Sequence, residues 1–204
     1  MNKLALLLLV TAMPCVYSQS LKTEGLEQLN VFVTHGNRLF ASNISDLTQV
    51  DFKNLRAVNI DRGQWQELKN GKGKSATNIG DGLYEFTEVR LTWGHRLDDD
   101  HWVVDYSWFW ATGSSNSSEI IQVFELRGGK VYITQQIEAV THHGGRAMGV
   151  RFDPRKKLLT LKAVESDSPK GRCCPTKINI LVFGWDGAQF RHISAKTVPF
   201  PEDH

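Results

Sequence analysis

Cysteine is scarce in this chain: Cys15, Cys173 and Cys174 are all there is. That excludes a small disulfide-stapled scaffold and a four-cysteine zinc site. His142-His143 does not complete a zinc set either, because adjacent residues of a strand point to opposite faces. Charge of one sign is also missing. The 24 basic and 22 acidic side chains leave a formal net charge of +2, with the signs mixed along the chain. Nothing here asks for nucleic acid, and the clusters Lys69, Lys72, Lys74 and Arg155, Lys156, Lys157 read as turns or solvated edges. Beyond the N-terminus no stretch approaches the roughly 18 apolar residues of a membrane span. No Gly-x-Ser-x-Gly elbow is present. Gly71-Lys72-Gly73-Lys74-Ser75 has the wrong glycine spacing for a phosphate loop, so no cofactor is expected.

What is present begins with a signal. Lys3 supplies a positive region, Leu4 to Val10 an apolar core, and Val16-Tyr17-Ser18 a cleavage site, so residues 1–18 read as a secretory signal peptide. The product is expected to be secreted or periplasmic, with no transmembrane segment after cleavage. Lipidation on Cys15 is the alternative, disfavoured by Pro14. Residues 19–195 read as one β-rich domain and 196–204 as a flexible tail.

Leu26, Leu29, Phe32 and Val33 fall at helical spacing, which predicts a short amphipathic helix ending near Gly36. A second short helix or turn is expected around 45–52, and a loop or hairpin tip over 69–82. From there the period is two. Val89, Leu91 and Trp93 share one face. Trp102, Val104, Tyr106, Trp108 and Trp110 share another, opposite His101, Val103, Asp105, Ser107 and Phe109. Val131, Ile133, Gln135 and Ile137 oppose Tyr132, Thr134, Gln136 and Glu138. Turns at 127–130, 153–156 and 186–188 join strand pairs. With no periodic helix between them, the expected fold is mainly β: an antiparallel meander or small sandwich or half-barrel, with short N-terminal helices.

The segment 68–84, the Gly-Gly-Lys turn at 128–130, and Cys173-Cys174-Pro175-Thr176 before an apolar strand ending in Asp186-Gly187 together resemble small exported bacterial proteins, among them the LppP/LprE lipoproteins. The similarity covers roughly residues 55–193. It implies export and a β-rich domain, and assigns no reaction. Relatives often carry an Asp-Leu-Asn-Gly-Asp-Gly loop suited to calcium. The matching Asp98-Asp99-Asp100-His101 lacks the glycine of the sharp turn, so Asp98 and Asp100 are weak metal candidates.

Cys173 and Cys174 read as a strained vicinal disulfide, as two packed thiols, or as a redox or metal pair. Adjacent Cα atoms lie about 3.8 Å apart, below the usual disulfide range, and the two structural readings are preferred. Asp105 is the best lone carboxylate for catalysis, with Glu85, Glu88 or Glu125 as cross-strand partners. Trp102, Trp108 and Trp110 form either a ligand platform or a core face. The resulting expectation is an exported non-catalytic binding or structural module for an envelope or extracellular ligand. The alternative is a hydrolase of envelope polysaccharide or peptide using strand-borne carboxylates.

Overall fold

The computed structural model describes residues 25–111, 115–140, 149–164 and 176–199. The signal segment with Cys15, the His142-His143 pair and Cys173-Cys174 lie outside them. Twelve strands follow in order: β1 (Val31–Ser42), β2 (Arg56–Asn59), β3 (Gln64–Glu67), β4 (Lys72–Gly80), β5 (Leu83–Arg96), β6 (His101–Ala111), β7 (Ser115–Arg127), β8 (Lys130–Val140), β9 (Val150–Asp153), β10 (Leu158–Val164), β11 (Lys177–Trp185) and β12 (Phe190–Pro199). All pairings among the described strands are antiparallel. A curled six-stranded sheet runs β1-β8-β7-β6-β5-β4, a second sheet β12-β11-β10-β9, and β2-β3 forms a hairpin.

The six-stranded sheet is covered on both faces. One face packs Val31, Val33, Val103, Ile121, Val123 and Ile137 against Leu159, Leu161, Ala163, Leu181 and Phe183 of the second sheet. The other packs Val104, Tyr106, Trp108, Ile120, Phe124 and Ile133 against Leu47, Phe52, Ala57 and Leu68. This accounts for β6, where both alternate rows are needed inside.

Several expectations are corrected. Val31–Ser42 is a strand, and only a 3₁₀ turn, Glu27–Leu29, precedes it. Asn30, in the left-handed region at φ 56°, stops the turn, and pairing of β1 with β8 outweighs the helical spacing. The segment 45–52 holds one 3₁₀ turn, Leu47–Gln49, started by Asp46, whose carboxylate accepts from Thr48 N at 2.7 Å. The expected loop at 69–82 is largely β4, whose Gly, Lys, Ser and Asn suit an exposed edge strand. β12 runs to Pro199, so residues 196–199 are strand where a tail was expected.

Two bulges break the expected faces. Leu91 pairs with Tyr106 but Trp93 with Asp105, which leaves Thr92 as an extra residue and puts Leu91 and Trp93 on opposite faces. Thr134 is extra in β8, so Ile133 and Ile137 belong to different cores.

Candidate functional site

Polar side chains occur inside this sheet in two groups, one on each face. Ser118 and Glu119, neighbours on β7, begin them.

Ser118 lies on the hairpin-covered face. Its hydroxyl donates to Glu138 Oε1 at 2.7 Å, and Arg62 Nη2 reaches the same oxygen at 3.2 Å. Asn59 Nδ2 donates to Glu138 Oε2 at 3.5 Å. Gln136 Nε2 donates to Asn59 Oδ1 at 3.0 Å and to Asp61 Oδ2 at 3.2 Å. Its Oε1 accepts from Ile60 N at 3.0 Å and Gln122 Nε2 at 2.9 Å. Thr34 donates to Asp61 Oδ1. The β2–β3 turn is thus tied to β1, β7 and β8 by a connected network of the kind that fixes side chains in place. Glu138 is 3% exposed, whereas its ion-pair partner Arg62 is 40% exposed and lies 4.4 Å over the Trp110 ring.

The network ends at a cleft. Glu27, Phe32, Val33, Thr34, Asp61, Arg62 and Glu138 line a volume of about 280 Å³. Phe32 pairs with Glu138 in register, so an aromatic side chain and a carboxylate stand side by side at its base. That volume is near the small end for ligand sites.

Glu119 lies on the opposite face. Ser107 is its register partner, and Asp105 pairs with Ile121. Asp105 and Glu119 are therefore diagonal neighbours, a relation with Cα atoms typically about 7–8 Å apart. Asp105 is 2% exposed and Glu119 4%. Thr92, freed by its bulge, places Oγ1 2.6 Å from Asp105 Oδ2, and the Ser107 hydroxyl bonds Glu119. Asp105 Oδ1 and Glu119 Oε2 have no partner. Burial, the largest cause, pushes the Asp105 carboxyl up to about 7. Burial, then the charge of Asp105, pushes Glu119 up to about 8, with Ser107 opposing.

Asp105 was singled out from sequence, but its partner is Glu119 and not Glu85, Glu88 or Glu125. Glu88 is bound to Lys74 and Arg90, and Glu125 to Arg127. Trp108 is 1% exposed, and Trp102 and Trp110 are partly buried beside it in the hairpin-side core, with Phe52 stacked on Trp102. In the acidic turn, Asp98 Oδ1 is 2.7 Å from His101 Nδ1, and Asp99 pairs with Arg96 at 2.6 Å. Among the described residues no group of three or more His, Cys, Asp or Glu could hold a metal ion. None of their helices is long and apolar enough to cross a membrane.

Sequence reading missed Glu119, Ser118, Gln122 and Arg62. The available signal was polar residues in strands otherwise rich in Ile and Val: Ser118, Glu119 and Gln122 in β7, Gln136 and Glu138 in β8. Compared with known proteins, the chain matches no protein-family profile, no curated protein and no solved structure.

Proposed function

We propose that this chain is an exported, non-catalytic binding module that holds a small ammonium-bearing solute in the Glu138–Arg62 cleft. The observation that carries the reading is a buried carboxylate, Glu138, fixed by Ser118, Asn59 and Arg62 at the wall of an open cleft. Such a group is oriented before any ligand arrives, and preorganisation reduces the entropy cost of binding. The lining holds three acidic side chains, Glu27, Asp61 and Glu138, against Arg62, so the formal balance favours a cation. Phe32 offers an aromatic surface, suited to the body of the solute or to its charge. Each carboxylate can accept about four hydrogen bonds. Asp61 accepts from Thr34 and Gln136, which leaves capacity for ligand N–H groups. Export is supported by the N-terminal pattern of Lys3, Leu4 to Val10 and Ser18.

Non-catalytic is preferred because the buried acids are committed elsewhere. Glu138 serves three donors, and Asp105 and Glu119 are too enclosed to meet a substrate. The test is calorimetric titration with matched pairs, glucosamine against glucose and putrescine against butanediol. The amine should bind at least about tenfold more tightly than its neutral analogue, a difference of about 1.4 kcal/mol, and Asp61→Asn should remove that preference. Equal binding of the two members of each pair, or no binding by either amine, contradicts the reading.

A further inference from the structure

We propose that Asp105 and Glu119 form a proton-held latch between the two sheets: both stay uncharged while the sheets are closed on each other, and loss of their protons loosens that joint. The first argument is a count of donors. Thr92 Oγ1 lies 2.6 Å from Asp105 Oδ2 and 2.8 Å from the Asp105 main-chain oxygen. A hydroxyl has one proton and two lone pairs. It can donate to the carbonyl and still bond Oδ2 only if the carboxyl supplies the second proton. The second argument is the pair of bare oxygens, Asp105 Oδ1 and Glu119 Oε2. An ionised carboxylate left buried without partners is strongly disfavoured, and the usual escape is protonation.

Among the described residues no basic side chain forms an ion pair with either carboxyl. The second sheet presents Phe152, Leu159, Leu161, Ala163 and Leu181 to this core, and its titratable group on that side is the exposed His192, which packs on Phe183. On the six-stranded sheet's own face, register places His35, Lys72, Lys74, Glu88, Arg90, His95, His101 and Glu125; Arg90, opposite Ser107, is exposed and turned to Glu88. Glu88 is tied to Lys74 and Arg90, Glu125 to Arg127 and His101 to Asp98. His95 packs on Trp93 and Phe152. His35 interacts with Arg191.

The direction of the effect follows from linkage. Both carboxyls are raised when closed, so the closed form holds more protons than the open one. The stabilisation is fully present below the ordinary carboxyl range. It is lost as pH rises through the raised range in which the two carboxyls titrate together. The latch therefore weakens towards alkaline pH, opposite to acid denaturation.

Hydrogen–deuterium exchange of the whole chain, read at peptides from β7 and β10 and corrected for intrinsic exchange chemistry, tests this. Between pH 5 and 7 the opening population should rise roughly tenfold or more per pH unit, as expected for release of one or two protons. Asp105→Asn with Glu119→Gln should flatten the dependence. If the double variant does not fold, Glu119→Gln alone should retain a shallower slope. A flat wild type, or an unchanged slope in the variants, overturns the proposal. Closure that needs added divalent cation and is lost to a chelator also overturns it, because a cation would then neutralise the pair.

Discussion

Ser118 and Glu119 are adjacent, yet they face opposite cores and enter opposite kinds of polar site. On the Ser118 face, Glu138 is buried with a hydroxyl, an amide and a guanidinium aimed at it, and the chain of bonds continues to solvent through Arg62 and Asp61. On the Glu119 face, two carboxyls are buried with a hydroxyl bonded to each, and neither forms an ion pair with a basic group among the described residues. The first arrangement keeps charge available at a cleft. The second suppresses it. The difference lies in what covers each face: a polar turn, Asn59 to Arg62, on one side and apolar strands on the other. Burial alone does not decide what a carboxylate does; its neighbours decide.

The sharpest way to break this comparison is to truncate one glutamate on each face. Glu138→Ala should cost about 2–4 kcal/mol in denaturant unfolding, because the buried Ser118 and Asn59 donors lose their common acceptor while the half-exposed Arg62 turns to water. A loss below about 1 kcal/mol would mean that the network does not hold the hairpin.

Glu119→Gln should go the other way. At pH 8 it removes a group whose ionised form is disfavoured where it stands, and the amide can still bond Ser107. A gain of about 1–3 kcal/mol at pH 8, shrinking towards pH 5, is expected. A loss at both pH values would show that Glu119 is held by partners like those of Glu138.

Some of this was legible in the sequence. Alternation in 102–110 assigned both rows of β6 to their faces, and the turns at 127–130, 153–156 and 186–188 gave the hairpins. Asp105 stood out as a carboxylate inside a tryptophan-rich strand. Its partner did not, since choosing among Glu85, Glu88, Glu119 and Glu125 requires the register. The faces of β5 and β8 were misassigned for a related reason. A bulge shifts alternation by one residue, and neither Thr92 nor Thr134 announces one. The cleft was hidden more deeply, because it exists only when the β2–β3 turn folds over β1 and β8 and brings residues 59–62 to residue 138. The N-terminal helix failed because Leu26 and Leu29 go no further than a 3₁₀ turn, while Phe32 and Val33 are drawn into β1 by pairing with β8.

The measurement that tests the contrast most directly is unfolding free energy as a function of pH from 5 to 8.5, compared between the wild type and the Asp105→Asn/Glu119→Gln variant. All other titrating groups are common to both. Among them is His35, held below its ordinary value first by burial and then by Arg191, which makes stability rise with pH and so opposes the pair. The account predicts that the variant's advantage over the wild type grows steadily with pH and levels off above about 8. A difference that stays constant across the range, or that favours the wild type more as pH rises, would contradict it.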